Sequence, residues 1–399
     1  MGGRVGMRDS VAEIRRSRPL QMYGACLSLT LGLSALYWRR SPRYVADPGD
    51  AICWPFFEDC VVARVFSAPL LECYLALLAA LSVVATLVFL HGRHHRAAWL
   101  LLAGTTMVKA FYMVQDYRLM GNYHYMPFVL VTAYLFIPDK KRLLPVLLVA
   151  FYLSAGALKV NREWLSGAAL IREAAVSGKL LEICAAYVVL LELVFVLGLL
   201  SKSQRIRWLL LVQLAAFHAF SYHLVGWFYP ATMSFLLAIF PLLWLSKERA
   251  DAPLAFFCTG RAPAAASSFL GLYVLAQLAP SLFPGDAALN GEGRLVALNM
   301  FDARAVCDEA TFVKRGSFTE ERNAGHPELA LRIHCDPIVY WNAARALCRT
   351  PGGTDRVDTF LVARRTTDST YTSVLSVTDF CEKDPAYEVW APNRWLSGP

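Results

Sequence analysis

The chain has 399 residues, 56% apolar and only 18% charged, with a formal net charge of +8 and a mean hydropathy of +0.41. Soluble domains run about 45–50% apolar and about 25% charged, so a soluble fold of this length is excluded, as are disorder, collagen and a coiled coil. Ten cysteines are too sparse for a small disulfide scaffold, which leaves a protein that lives mostly in a bilayer.

A hydrocarbon core is crossed by roughly 20 helical residues. In chain order, nine apolar stretches meet or approach that length: 21–38, 67–91, 97–114, 124–138, 143–160, 181–200, 208–225, 230–246 and 267–284. No water at that depth satisfies a free backbone, so each is expected to be helical. The first follows an Arg-rich start, as a signal peptide would. Arg39 and Arg40 stand after Trp38 where a small-residue cleavage site belongs, so it reads as an uncleaved helix. With residue 1 placed in the cytoplasm, the loops on that side carry 16 Lys and Arg against 8 in the opposite short loops. That is the asymmetry expected of cytoplasmic loops. Arg39, Arg40 and Arg43 run against it, and snorkelling to headgroups is the one account the sequence offers.

Nine crossings place the tail outside. From residue 285 onward 13 Lys and Arg face 16 Asp and Glu, so the positive excess belongs to the membrane part. It reads as topology and anionic lipid, with no nucleic-acid partner. The expected fold is an all-α polytopic membrane bundle of about nine transmembrane helices with a small C-terminal α+β extracytoplasmic domain. Its divisions are a cytoplasmic segment at 1–20, the bundle at 21–284 and the tail at 285–399. In the tail, 295–299 and 310–314 read as strands. Asp336-Pro337 opens a helix at 338–349 that Pro-Gly-Gly at 351–353 ends. A hairpin joins 359–364 to 372–377. The tail has no Walker loop, no HExxH and no paired CxxC, and it reads as a cover or substrate holder.

Six cysteines fall outside: Cys53, Cys60, Cys307, Cys335, Cys348 and Cys381. Cys26, Cys73, Cys184 and Cys258 lie in or beside the membrane. An even number in an oxidising compartment permits three disulfides. The pairing is open, and one bridge from the first outer loop to the tail is expected.

Ionisable groups inside membrane helices cost at least about 2.5 kcal/mol each, which singles out Lys109, His124, Lys159, Glu192, His218 and His223. Lys159 closes the fifth stretch, after the small residues Ser154, Ala155, Gly156 and Ala157, which allow close helix approach. It is either a desolvated amine able to act as a base or a lysine that snorkels outward. His124 sits at the mouth of the fourth stretch, as a ligand contact or an interfacial histidine. Glu192 is protonated or paired with a neighbouring Lys or Arg, with Lys109 the partner expected. His218 and His223, five apart, share no helix face, so no metal site is expected. Trp164, Trp227, Phe228 and Tyr229 read as an aromatic belt.

Several of these segments resemble one family. Residues 154–167, with Lys159, Asn161, Glu163, Trp164 and Gly167, are similar to the core motif of the vitamin K-dependent gamma-carboxylases and their bacterial HTTM (horizontally transferred transmembrane) relatives. Tyr117–Tyr125 with Asn122 and His124, Leu190–Leu193 with Glu192, and Phe217-His218 with Gly226-Trp-Phe228 resemble further pieces in the same order. Residues 51–57 resemble the first outer loop, whose Cys bridges to the lumenal domain in that family, and 299–301 resemble the start of that domain. Tyr123 separates the family's adjacent Asn-His, Leu158 stands where the animal enzymes have a Lys, and the tail is short. This resembles a bacterial-type short member.

The resemblance implies a reaction. Lys159 falls on the base that deprotonates a reduced naphthoquinone (vitamin K hydroquinone, or menaquinol). Dioxygen then yields the epoxide and a strong base, and that base takes the γ-proton of a glutamyl residue, to which carbon dioxide adds. Asn122, His124, Trp164 and His218 are implied quinone contacts, with Glu192 and Asn161 in support. The implied partners are the bilayer, a lipid-soluble quinone and a Glu-containing peptide or protein. The implied location is a bacterial inner membrane, N-terminus cytoplasmic. Two other classes stay open: a DoxX-type quinone-linked oxidoreductase, and a non-enzymatic membrane scaffold or transporter.

Overall fold

A computed structural model describes residues 7–40, 52–57, 65–119, 121–170, 172, 174–246, 263–297, 304–322, 331–350 and 354–396. A short helix α1 (Met7–Arg15) precedes the central helix α2 (Arg18–Arg40). There follow α3 (Ala68–His91), α4 (His95–Met113), α5 (Asn122–Phe136) and α6 (Lys140–Leu158). A single turn α7 (Arg162–Leu165) leads to α8 (Gly178–Leu193), which continues as a 3₁₀ turn to Leu200. Then come α9 (Gln204–Val225), α10 (Phe228–Leu237), α11 (Ile239–Leu245) and α12 (Ala264–Leu278).

Seven of the helical stretches are long and apolar enough to cross a membrane: Arg18–Arg40, Ala68–His91, Lys140–Leu158, Gly178–Leu200, Gln204–Val225, Phe228–Leu245 and Ala264–Leu282. This is two fewer than the nine expected. The third and fourth expected spans are helices, but α4 carries His95, Arg96 and Lys109 and α5 has only 15 residues. Outward faces are apolar, as at Leu77, Val84 and Leu87 of α3 and Leu272 and Leu275 of α12. Such faces belong against lipid tails, and the molecule is built as an integral membrane protein.

The bundle core shows how polar groups are met where water is absent. In α2 the hydroxyls of Ser28, Thr30 and Ser34 donate to carbonyls of their own helix at 2.8, 2.7 and 3.0 Å. Buried Tyr23, Tyr134 and Trp99 donate across helices to the Leu236, Leu20 and Leu135 carbonyls at 3.1, 2.8 and 3.0 Å. Each bond satisfies a carbonyl and fixes a helix register. At the end of α2, Arg39 pairs with Glu72 at 3.4 Å and Arg40 lies over the Trp227 ring at 5.8 Å. Two of the three arginines that break the charge asymmetry thus have protein partners; Arg43 lies outside the described residues.

The tail is a four-stranded antiparallel sheet in the order β2-β1-β3-β4. Its strands are β1 (Ala305–Arg315), β2 (Phe318–Arg322), β3 (Arg356–Arg365) and β4 (Thr372–Val377). A helix α13 (Pro337–Cys348) packs on it, with the Asp336 carboxylate accepting from the Ile338 N–H at 3.0 Å as its N-cap. The expected helix, hairpin and central strand are present. The strand expected at 295–299 is not: Arg294–Val296 is a 3₁₀ turn after Gly293 at φ 70°, and 298–299 lie outside the described residues. Gly293, in a left-handed conformation that a β-branched run cannot continue, turns the chain at that point.

The cysteines correct the expected bridge. Cys307 pairs with Cys335 and Cys348 with Cys381, all within the tail. Cys53 is also disulfide-bonded, its partner outside the described residues, as are Cys60 and Cys258. Cys26, Cys73 and Cys184 are free. The outer loop reaches the tail by other means. Ile52 packs in the tail core with Leu361 and Leu375, and Asn342 clasps the Cys53 backbone through two hydrogen bonds of 3.1 Å.

Candidate functional site

Lys159 is the C-cap residue of α6 and is 1% exposed. The last turns of α6 run along α8 so closely that a Cβ on Gly156 would sit 2.9 Å from the Glu192 Cβ and 3.0 Å from Leu193. Only glycine allows that approach, and it brings Glu192, also 1% exposed, against the Lys159 ammonium, where Nζ donates to Oε2. Of the two readings of Lys159, the outward snorkel is corrected: the side chain is desolvated, and it is paired with a carboxylate. The expected partner of Glu192 is corrected as well: it is Lys159 and not Lys109.

Trp164 covers this pair. Asn161 caps the single turn α7, its side chain accepting from the Trp164 N–H and donating to the Leu158 carbonyl, both at 2.7 Å. The indole N–H donates to the Ala185 carbonyl at 3.0 Å, and the ring lies 5.3 Å from Lys159 Nζ. One turn thus seals the end of α6 against α8. Below it, His218 of α9 is 1% exposed. Its Nε2 meets the Tyr152 hydroxyl at 2.6 Å, while its Nδ1 has no hydrogen-bond partner. Tyr229 rests edge-on against the same imidazole at 5.4 Å. Lys159 and His218 lie within electrostatic range of one another, as do Tyr229 and Glu192. Five polar side chains from α6, α8, α9 and α10 therefore share one buried cluster.

His124 is placed elsewhere. It is fully buried, with neither ring nitrogen hydrogen-bonded. Its ring packs on Trp38 at 4.6 Å, Tyr123 at 4.7 Å and Phe228 at 5.5 Å. Lys109 enters the same box from α4. Its Nζ is buried without a hydrogen-bond partner, 5.7 Å from the Trp38 ring and 5.1 Å from the Phe128 ring. The two boxes meet at the start of α10, where Phe228 faces His124 and Tyr229 faces His218. The Asn122 side chain lies outside the described residues, and His223 is exposed. Among the described residues no cluster of His, Cys, Asp or Glu is arranged to hold a metal.

The aromatic-belt expectation fails for Trp164 and Phe228, which are buried; Tyr229 is half-buried against His218, and Trp227 lies under Arg40. Sequence reasoning also missed Tyr152, Trp38 and Phe128, and it placed Tyr229 in the belt and not beside His218. Tyr152 carried a signal, because residues seven apart share a helix face and it stands seven before Lys159. The others are brought in by neighbouring helices, and no spacing announces them.

The tail packs on this region at α7. Arg365, at the end of β3, forks onto Asp286 at 2.6 and 2.8 Å and reaches Glu163 of α7 at 3.2 Å. The Thr367 hydroxyl also donates to Glu163. Burial alone would lower the guanidinium pKa, but the two carboxylates outweigh it and hold it above its ordinary value. Comparison with protein-family models, characterised proteins and solved structures gives no match.

Proposed function

We propose that this chain is an integral membrane gamma-carboxylase-like enzyme. It oxidises a reduced naphthoquinone with dioxygen and uses the strong base formed to deprotonate and carboxylate glutamyl residues. The observation that carries the reading is the buried Lys159–Glu192 pair under Trp164, at the end of a membrane helix and beneath the tail. The family motif resemblance supplies the chemistry, and the buried pair supplies a place for it.

The residues fit a flat, lipid-soluble hydroquinone on one structural ground. His124 Nδ1 and Nε2, Lys109 Nζ and His218 Nδ1 are buried polar atoms without partners, among aromatic rings. Orphans of this kind cost about 1–3 kcal/mol each, and a ring with two oxygens would satisfy them. When bound, the reduced quinone supplies the reducing equivalents for dioxygen and, on its oxidation, the strong base. In this reading Lys159 takes the hydroxyl proton. Glu192 first accepts the ammonium proton, which leaves the amine free without changing the net charge of the pair. Trp164 keeps water from the amine, so that the weak base acts in a dry site. Tyr152 orients His218 beside it.

The α4 and α5 helices enter the bundle together, so we read them as a further pair of crossings, nine in all. Either count is odd and puts the two ends on opposite sides. The Lys and Arg asymmetry favours a cytoplasmic N-terminus, and the two tail disulfides favour an oxidising outer compartment. A bacterial inner membrane suits both. The acceptor is a Glu-containing peptide or protein.

The test is turnover in reconstituted vesicles containing menaquinol, a Glu peptide and labelled carbon dioxide. Wild-type protein is expected to yield epoxide and labelled γ-carboxyglutamate, and Lys159→Ala to yield neither. A Lys159→Ala protein with unchanged turnover overturns the reading.

A further inference from the structure

Glu163 is a carboxylate 1% exposed, and among the described residues its one ion pair is with Arg365 of the tail. Among the described residues its side-chain partners come from the tail: the Arg365 guanidinium at 3.2 Å and the Thr367 hydroxyl. Such a group costs several kcal/mol when uncompensated, so the tail adds a fixed point to a turn that Asn161 caps and the Ala185 carbonyl anchors. The next residue along is Trp164, whose ring lies 5.3 Å from Lys159 Nζ. Arg365 is itself anchored. Its fork on Asp286 ties it to the segment that follows α12, and bidentate pairing of this kind fixes orientation as well as charge. A second link lies beside it, where Arg304 donates to the Leu170 carbonyl at 3.0 Å.

We infer that Arg365 is a positioning residue for the amine site: it holds Glu163, and through the α7 turn it sets Trp164 over Lys159. The soluble tail is thus part of the site's construction, and the turn that seals the amine is held from outside the membrane. This inference rests on the proposed reaction for its catalytic consequence, but the placement of Trp164 can be read without turnover.

The experiment compares full-length wild type, Arg365→Gln and Arg365→Lys in lipid nanodiscs, each labelled with 5-fluorotryptophan. The Trp164 resonance is assigned by its disappearance in Trp164→Phe. Arg365→Gln is expected to shift that resonance and, by stranding the Glu163 carboxylate, to lower the thermal midpoint while the bundle stays folded at the assay temperature. It is also expected to lower kcat for menaquinol oxidation about 10- to 100-fold, the cost of a small misplacement, with KM changed less than twofold. Arg365→Lys keeps one charge near Glu163 but loses the fork, and should recover part of both signals. An unmoved Trp164 resonance in Arg365→Gln overturns the inference. So does an equal loss in Gln and Lys variants that tracks loss of folding. A wild-type protein with no quinol oxidation would remove the proposed reaction, and the fluorine shift would still decide the positioning.

Discussion

Lys109, Lys140 and Lys159 are buried in this bundle; Lys140 donates to the Ile137 carbonyl at 2.7 Å, and the other two are treated in opposite ways. Lys159 meets a carboxylate from the next helix, is sealed by an indole and lies in a cluster of five polar side chains. Lys109 has two aromatic rings, an unpartnered histidine in the same box and no hydrogen bond. The first is complete within the fold. The second is complete only in the sense that ring faces attract a cation, worth about 2 kcal/mol when desolvated. Burial by itself therefore does not mark function. A satisfied pair can serve structure or proton transfer, whereas an orphaned polar atom carries a cost that no contact within the described residues offsets.

The largest expected effect lies at the satisfied pair. Removing one partner of a buried ion pair costs about 3–5 kcal/mol, while replacing both with apolar residues is often neutral. Lys159→Met alone should therefore lower the thermal midpoint in detergent sharply, and Lys159→Met with Glu192→Leu should restore it without restoring turnover. If the double variant stays as unstable as the single one, the pair's stability depends on the rest of its polar cluster, and the ion pair is not the unit that decides it.

A smaller effect is expected at the contact that makes the pair possible. Gly156→Ala places a Cβ 2.9 Å from the Glu192 Cβ and 3.0 Å from Leu193, so α8 must yield. Overpacking of this kind costs about 1–3 kcal/mol, read as a lower unfolding midpoint together with reduced menaquinol oxidation. An unchanged midpoint would mean that α6 and α8 lie further apart than the structure has them.

The smallest effect, and the sharpest contrast, belongs to Lys109. Lys109→Met keeps the side-chain stem in the box and removes the orphaned head. Stability should stay level or rise by up to about 2 kcal/mol, while KM for menaquinol rises. A loss of stability as large as that of Lys159→Met would show that Lys109 is satisfied within the fold, and would erase the contrast.

Much of this was legible along the chain because the bilayer imposes simple rules. Lys159 and Glu192 stood out as charges inside apolar runs, and the small residues before Lys159 announced a close helix contact. The Asp336-Pro337 start of α13 and the β3–β4 hairpin followed from local backbone chemistry. The partner of Glu192 was not legible: Lys109 and Lys159 were both cations on neighbouring helices, and only the packing of α8 against Gly156 decides between them. Hydropathy along the chain averages over Arg96 and Lys109 of α4 and does not mark the ends of α5, which has only 15 residues, so both read as spans. The cysteines were countable but not pairable, since connectivity depends on which sheet residues face one another.

What the sequence determined by itself is the medium and the local elements. Apolar runs of a given length must be helices where no water can meet the backbone, and a proline or glycine stops or turns a chain wherever it stands. What only the tertiary structure decided is which buried polar group meets which. A desolvated charge takes whatever partner is brought within a few ångströms, and that distance depends on how helices and tail pack together. The meeting of Lys159 with Glu192, the solitude of Lys109 and the reach of Arg365 to Glu163 across some two hundred residues are all settled at that level.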